Sequence, residues 1–597
     1  MIWENYGYPL YEVEERRDFR EMLDKTCEIY GEEKSFFEKN KDDIYEGITF
    51  NQFRENMRNL SDGIFALNLK ERDHIALMGK NSRAWATSYY SITASNFVVI
   101  PIDRELKDME IDRIVSISKP KAIFCDSAFI RLFLELSLKY DFIKFIISLD
   151  QKAASFNSNS KIMLYDMEQI LDKGKEVRKN GNSIYDKVII NPDLETSILF
   201  TSGTTGTPKG VMLTQHSICN NIYGMRKLIW IDNTKYFLSV LPLHHAYECT
   251  CGFLCQVHAG SRILYVQSLK KLADNIKEGK ATNINVVPLL LETLAKRVKE
   301  NLTHSLFTRI YYHAGNGIGA FFDFISGKEN GRKVRRTIFK PVHNAFGGKL
   351  DLFISGGAAV KPEISKFLRS LGFRVLQGYG ISECSPFLAA NRDRFFKDDS
   401  AGMPLPEHDF EFFDVDEEGV GEIAVKGKSV MLGYYNDPEA TKAAFHDGYF
   451  LTGDYGYLDN QGFIHIKGRK KNVIVTRNGK NIYPEDIEVL YDNSSTIQEI
   501  IVMEMVEKET NNETICAYIY PNFDNLEKIL NKPKDSIKDE DLLPLIRAEI
   551  KENNQKISAF KRIHYFSISY DEFEKTTTKK IIRMNIDKNM KKYPVYI

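Results

Sequence analysis

Ten residues, TSGTTGTPKG from Thr201 to Gly210, set small hydroxyl side chains, three glycines, a proline and a single lysine directly behind the apolar run Ile198-Leu199-Phe200. Most Ser/Thr/Gly clusters are solvated loops without chemistry. This one fixes a lone cation, Lys209, behind Pro208, and surrounds it with residues that admit close backbone approach and offer N–H and O–H donors. A polyphosphate needs those three things: close approach, donors for its oxygens and a placed positive charge. The spacing is not that of the Walker loop, where glycine, lysine and Ser/Thr follow in succession. Counted from Gly203, those places hold Pro208, Lys209 and Gly210. Pro208 biases Thr207 away from the helical region, and Val211-Met212-Leu213 reads as a short strand. The loop is therefore predicted to join two strands, with a helix from about Ser217.

Other groups with chemical potential follow in order: LPLHHAYE at 241–248, SGGAAV at 355–360, GYGISE at 378–383, TGD at 452–454, GRKKNVIVTRNGKNIYPEDIE at 468–488 and KTTTKKI at 575–581. Each is weak alone. Glu383 could be an ordinary exposed glutamate, TGD common turn chemistry, Tyr379 a core aromatic and His245 a histidine satisfied inside a core. Cys249, Cys251 and Cys255 with His244 and His245 could suggest a metal, but they lack the paired Cys-x-x-Cys knuckles of structural zinc. Buried thiols are the reading adopted.

The elements that must position these residues show in the hydrophobic rhythm. Between 74 and 148 short apolar strands alternate with helical stretches, the pattern of βαβ units in a largely parallel, doubly wound sheet. The rhythm resumes in YFLSVLPL, GSRILYV and ATNINVVPLLLETLAKRV, and again from Leu350. Ligands of such sheets gather at the carboxyl ends of strands, where the opening loop sits. Beyond about Gly402 the pattern changes to turns and alternating strands, as in a smaller β subdomain. Residues 301–345, rich in basic and aromatic side chains, read as an amphipathic helical insertion, with a solvated face preferred over a membrane-surface patch. The expected class is α/β: a large N-terminal domain (1–467) of doubly wound sheets plus a β subdomain, a hinge at 468–471 and a small mobile α+β domain at 472–597.

Composition narrows the function. A chain of 597 residues, 43% hydrophobic, exceeds the size at which one core keeps growing. Its 81 basic and 82 acidic residues give a net charge of −1, which offers no global attraction for nucleic acid or anionic lipid. Eight cysteines are too sparse for a disulfide scaffold and fit a reducing compartment. With neither a leader pattern nor 18 uninterrupted apolar residues, a cytoplasmic protein with at most peripheral membrane contact is expected.

Taken in order, the motifs resemble the adenylate-forming superfamily of acyl-CoA synthetases, adenylation domains and beetle luciferases, from about residue 45 to 585. LPLHHAYE, the 301–345 insertion and GGKLDLFISGGAAV look most like the long-chain fatty acyl-CoA synthetases. The resemblance implies two half-reactions. A fatty carboxylate attacks the α-phosphate of MgATP to give acyl-AMP and pyrophosphate, and coenzyme A then takes the acyl group and releases AMP. It also implies roles. Thr201, Ser202, Gly203, Thr204, Thr205, Gly206 and Lys209 would hold phosphates, with Thr204 counted among the catalytic groups. Glu383 would carry Mg²⁺. Gly356, Gly357 and Ala358, with Gly378, Tyr379 and Gly380, would frame adenine. Asp454, ahead of Arg469, would accept from the ribose hydroxyls, and His245 would lie beside the substrate carboxylate. Lys580 would bridge carboxylate and α-phosphate, Lys471 would serve as hinge, and the turn at Gly479 would face the thiol tunnel. The chain departs from the family pattern at Lys579, where glycine is usual, and at Glu574, where proline is usual. That leaves Lys579 as the minor candidate for the bridging lysine. An acyl-carrier protein is the alternative acceptor, another carboxylic acid the alternative substrate, and a nucleotide-binding scaffold without catalysis the alternative of a different class.

Overall fold

Strands without polar interruption form the centre of the fold. Val98–Pro101, Ala122–Cys125 and Phe145–Ser148 are buried along their whole length, as strands covered on both faces must be. The structure, a computed structural model, describes residues 9–151, 162–201, 208–393, 395–475, 481–506, 513–575 and 581–596. Its chain divides into two units, Met1–Phe410 with Val425–Phe450 and Asn460–Ile464, and Glu411–Ala424 with Leu451–Asp459 and His465–Ile597.

The first unit carries two large sheets. One runs in the order Gly433–Tyr434, Lys209–Thr214, Glu195–Thr201, Val98–Pro101, His74–Met78, Ala122–Cys125, Phe145–Ser148, Met163–Asp166. From Glu195–Thr201 onward its neighbours are parallel, while Lys209–Thr214 and Gly433–Tyr434 add antiparallel edges. The other sheet has the order Met403–Pro404, Phe387–Ala390, Arg374–Gly380, Leu352–Ser355, Asn283–Val286, Tyr236–Ser239, Arg262–Tyr265, Lys34–Lys39, Tyr45–Thr49. Its interior is again parallel and its ends antiparallel. These are the doubly wound sheets that the βαβ rhythm predicts.

The glycine-rich loop does connect two strands, which pair antiparallel from Glu195↔Thr214 to Thr201↔Lys209. The helix expected from about Ser217 starts at Gln215. Thr214 caps it: its hydroxyl accepts from the Ser217 N–H at 2.8 Å, and the Ser217 hydroxyl accepts from the Thr214 N–H at 3.1 Å. This reciprocal box satisfies two amides that the first turn leaves orphaned.

The 301–345 segment is helical, as read from sequence: Leu306–Ser326, Lys328–Ile338 and Lys340–Ala345. The first two run antiparallel about Gly327, whose φ of +88° suits glycine. Small residues let them approach closely. A Cβ on Gly315 would meet the Phe339 ring at 2.7 Å, and one on Gly319 would meet the Arg335 stem at 2.5 Å. Arg335 closes the pair with a forked ion pair to Asp323, at 3.0 and 2.7 Å.

The second unit has its own apolar core, with Ile501, Val502, Ile519, Leu542, Ile546 and Phe566 among its buried members. Its four-stranded sheet, Ile497–Val506, Glu513–Pro521, Tyr565–Ile568, Tyr593–Pro594 in that order, accompanies the helices Phe523–Leu530 and Asp539–Asn554. This is the expected α+β composition. The hinge expected at 468–471 falls inside the 465–597 stretch of this unit.

Candidate active site

Lys209 opens the strand that leaves the glycine-rich loop, and the Thr201 hydroxyl reaches its carbonyl at 3.5 Å. Ser202, Gly203, Thr204, Thr205 and Gly206 lie outside the described residues. The Lys209 ammonium sits 4.7 Å from the centroid of the Tyr434 ring, within cation–π range. Tyr434 arrives there because Gly433–Tyr434 pairs with Val211 and Met212 on the open edge of the same hairpin. Its phenol donates to Glu383 Oε1 at 3.0 Å. Burial, then the Glu383 charge, push that phenol well above its ordinary pKa, so it stays a donor at any working pH. Cation, ring and carboxylate thus form one row. Sequence reasoning named Lys209 and Glu383 as candidates and did not name Tyr434. Its available signal was the GYY of 433–435 ahead of Asn-Asp-Pro, an aromatic pair on a strand stub.

Glu383 is held by its loop. Its carbonyl accepts from the Met431 N–H at 2.8 Å. The Asn221 amide donates to the Cys384 and Phe387 carbonyls at 3.0 and 2.8 Å, and the Ser385 hydroxyl donates to the Ser429 carbonyl at 2.8 Å. A half-buried carboxylate fixed this way is a hard oxygen ligand. Tyr434 uses one of the roughly four acceptor positions a carboxylate offers, so the residues present fit a magnesium ion.

Gly356, Gly357 and Ala358 follow the Leu352–Ser355 strand, at the carboxyl end where such sheets bind ligands. Gly357 has φ +88°, and a Cβ on Gly356 would meet the Tyr247 ring at 3.1 Å. Gly378, Tyr379 and Gly380 end the neighbouring strand, since Ser355 pairs with Gln377. A Cβ on Gly378 would meet Phe387 at 2.6 Å, so both glycine pairs are set by close packing as well as by any ligand.

The His-His turn reaches the same edge. The Tyr247 phenol donates to the Ile354 carbonyl at 2.9 Å, which lays residues 242–248 against the end of that strand. His244 Nε2 lies 3.4 Å from Asp103 Oδ2. Burial acts to raise the Asp103 carboxyl, and His244 outweighs it, holding Asp103 well below the usual carboxylate range. The His245 ring, 4.2 Å from that of His244, is pushed down to about 3, first by burial and then by the His244 charge. Its buried Nε2 has no hydrogen-bond partner among the described residues. A neutral imidazole with an open nitrogen can donate to or accept from a carboxyl group without adding charge. Asp103, too, was not found from sequence.

Immediately after lies Glu248, fully buried, where Ser239 donates to it at 2.7 Å and Asn285 at 3.2 Å. Burial pushes it up to about 8. It begins a π-helical turn, Glu248–Leu254, a wide turn that recurs at functional sites. Cys249, Cys251 and Cys255 are free buried thiols, and burial pushes Cys249 and Cys255 up to about 12. Among the described residues, Asp103, His244 and His245 are the ligand-type group whose atoms lie within 4.8 Å of one another, and no cysteine joins it.

The remaining site residues belong to the second unit. Asp454 follows Gly453, whose φ is +70°, and its N–H donates to the Thr452 hydroxyl at 3.1 Å, which in turn donates to the Ile423 carbonyl at 2.7 Å. Arg469 Nε pairs with Asp454 Oδ1 at 2.9 Å, with the carboxylate buried and the guanidinium 42% exposed. Lys471 is half-buried, and burial, then Arg469 and Arg583, lower its pKa. Gly479, Lys579 and Lys580 lie outside the described residues.

Two parallel-centred sheets, a glycine-rich hairpin on the edge of one and a glycine-lined strand end on the other define a class that solved structures share. The O-succinylbenzoate coenzyme A synthetase of Bacillus subtilis, in complex with AMP, superposes with a TM-score of 0.69 at 19% identity, over 96% of this chain and 98% of that one. A Mycobacterium tuberculosis fatty acyl CoA synthetase gives a TM-score of 0.62 at 19% identity, over 95% and 97%. Among curated proteins, fatty acyl-CoA synthetase B of Dictyostelium discoideum is 26% identical over 90% of this chain and 82% of its own. A chloroplastic long-chain-fatty-acid–[acyl-carrier-protein] ligase of Arabidopsis thaliana is 27% identical over 79% and 75%. The AMP-binding enzyme family model matches residues 23–435, and the chain belongs to that family.

Proposed function

We propose that the chain is an AMP-forming long-chain fatty acid–CoA ligase, which activates its acid with ATP and passes the acyl group to coenzyme A. The observation that carries the reading is the row Lys209–Tyr434–Glu383 at the mouth of the hydroxyl- and glycine-rich loop. A fatty carboxylate and a triphosphate repel one another, and fixed charges and donors aimed at the phosphates remove that barrier. Lys209 and the loop groups Thr201 to Gly206 take the β- and γ-phosphates. Glu383 holds magnesium, which when bound neutralises phosphate charge, and Tyr434 orients Glu383. His245, neutral by burial, steadies the incoming carboxylate, while Gly356–Ala358 and Gly378–Gly380 give adenine a flat seat. Asp454, oriented by Arg469, accepts from the ribose hydroxyls.

The attacking carboxylate oxygen bonds to the α-phosphorus as the bond to the pyrophosphate oxygen breaks. In the second half the thiol sulfur bonds to the acyl carbon, its proton is lost and AMP leaves. Lys580 serves the first half, with Lys579 the minor candidate, Lys471 is the hinge between halves, and the turn at Gly479 serves the second. An acyl-carrier-protein acceptor is the second reading, favoured by the similarity to the Arabidopsis ligase.

Acid-dependent exchange of labelled pyrophosphate into ATP across acids of two to eighteen carbons (about the span from acetate to long-chain lipid acids) tests this reading. Exchange rising with chain length supports it. ATP binding without exchange for any acid leaves only the scaffold. AMP release with coenzyme A and with a carrier protein bearing a free pantetheine thiol separates the acceptors.

A further inference from the structure

Asp103 and the two histidines of the His-His turn meet from different sheets. Asp103 follows Val98–Pro101, and the turn follows Tyr236–Ser239. Both are held in place by hydrogen bonds of their own. Asn81, just beyond His74–Met78, accepts from the Leu243 N–H at 3.0 Å and donates to the Leu241 carbonyl at 2.7 Å. The His245 N–H donates to the Pro242 carbonyl at 3.1 Å, which fixes the turn at a third point. Asp103 Oδ1 accepts from the Glu105 N–H at 2.8 Å, leaving Oδ2 to face His244. Outer hydrogen bonds of this kind orient the ligands of a metal ion.

The facing atoms do not satisfy one another. His244 Nε2 lies 3.4 Å from Asp103 Oδ2, beyond the roughly 2.7–3.2 Å of a well-formed N–H···O bond. His244 is 7% exposed, and its Nε2, like that of His245, is buried with no hydrogen-bond partner among the described residues. Two atoms bonded to one tetrahedral zinc ion at about 2.0–2.1 Å stand about 3.4 Å apart. The gap is wide for a proton and right for an ion. One ligand atom from each of Asp103, His244 and His245 lies within 4.8 Å of the other two, so a small rotation of the His245 ring brings the third into range. A structural His–Asp pair accounts for Asp103 and His244 and leaves the His245 nitrogen open.

Donor chemistry names the ion. Two imidazoles and one carboxylate suit zinc and its neighbours in the first transition row, whereas magnesium takes oxygen ligands. Three protein ligands leave a further position to water. Asp103 and His245 keep partial exposure, which gives the ion an entry.

We propose that Asp103, His244 and His245 form a site for a zinc-class divalent cation, separate from the magnesium proposed at Glu383, and that the bound ion takes the His245 nitrogen away from the substrate carboxylate. Binding of the ion needs no activity. The block on the carboxylate rests on the role proposed for His245.

Titration of the full chain in excess magnesium and without substrates, with zinc by calorimetry and with cobalt(II) by visible absorption, tests the site. The expected result is one ion per chain and a cobalt ligand-field spectrum without a thiolate-to-metal charge-transfer band, since the cysteines are buried. Asp103→Asn, which keeps an acceptor for Glu105, and His244→Asn should each weaken binding by at least about tenfold. Zinc-loaded parent, desalted before assay, should exchange pyrophosphate about tenfold slower or worse, and a chelator selective for zinc over magnesium should restore the rate. A chain that takes up neither ion, equal affinity in the parent and both variants, or a charge-transfer band that puts the ion on cysteine overturns the site. Unchanged exchange in the loaded parent overturns the block at His245. Zinc uptake by a chain that exchanges with no acid supports the site and counts against the enzymatic reading alone.

Discussion

Tyr434 touches both charged members of the Lys209–Tyr434–Glu383 row, so removing its hydroxyl separates two roles. Tyr434→Phe keeps the ring beneath Lys209 and deletes the donor to Glu383. A hydrogen bond to a charged group contributes about 1.5–3 kcal/mol, and the expected loss in kcat/KM for ATP is about ten- to a hundredfold. The loss should shrink at high magnesium if Tyr434 acts by orienting the metal ligand, and a magnesium titration of pyrophosphate exchange reads this directly. Lys209→Ala should cost more, about a hundred- to a thousandfold, and should not respond to magnesium. His245 makes a pH statement. Held at about 3 in the fold, it is neutral throughout the working range, so exchange should show no acid limb from this ring between about pH 5 and 8. In the unfolded chain it takes a proton near its ordinary value, so its burial costs stability only as pH falls below that value. An acid limb in that range that disappears in His245→Asn would show that the ring is charged in the working enzyme.

Turns and short elements decide how much of the site could be read in advance. The two strands on either side of the glycine-rich loop were legible because their β pattern is contiguous in sequence. The glycines of SGGAAV and GYGISE were legible for the same reason. Tyr434 was not, because it reaches Lys209 through an edge-strand register, Tyr434↔Val211, that no local pattern encodes. Asp103 was not, because it follows Val98–Pro101 of one sheet and meets His244, which follows Tyr236–Ser239 of the other, only once the two sheets have come together. The π-helical turn was hidden as well, since its wide hydrogen-bond step leaves no distinct periodicity. Gly252 lies within it: a Cβ there would meet the Glu248 carboxyl at 2.5 Å, so glycine makes room for the buried acid. Glu248 holds its proton to about 8 in the fold, whereas the unfolded chain releases it near 4.5. Between those values the folded state binds more protons, so stability must fall as pH rises. Glu248→Gln removes that slope while keeping an acceptor for Ser239. Its melting temperature should gain on the parent's steadily from pH 5 to 8, by an amount on the order of a few kcal/mol in stability. Parallel melting curves for the two proteins across that range would place the charge elsewhere.

At the scale of the whole molecule, the proposed site residues fall in two units of the chain. Thr201, Lys209, His245, Gly356, Tyr379 and Glu383 belong to the first, and Asp454, Arg469 and Lys471 to the second. Each unit has a core of its own, which allows either to keep its shape while the chain between them changes. In our proposal the two half-reactions use this division: the cation that steadies carboxylate and phosphate in the first step withdraws before the thiol enters in the second. The tail motif KTTTKKI supplies the cation in our proposal, with Lys580 counted both from Lys575-Thr576 and from Ile581. Lys575 and Ile581 pair as an antiparallel β-bridge, and residues 576–580 between them lie outside the described residues. Lys580→Ala should therefore abolish acid-dependent pyrophosphate exchange, about a thousandfold or more, yet leave thioester formation from supplied acyl-AMP close to the parent rate. Lys579→Ala should cost little in either assay. Lys471→Pro, at the hinge we propose, should reverse the split by sparing exchange and slowing the thioester step. If Lys580→Ala slows both halves equally, the lysine serves one shared geometry and the two units do not alternate. If Lys579→Ala gives the larger loss of exchange, the bridging role moves one residue along the sequence and alternation stands.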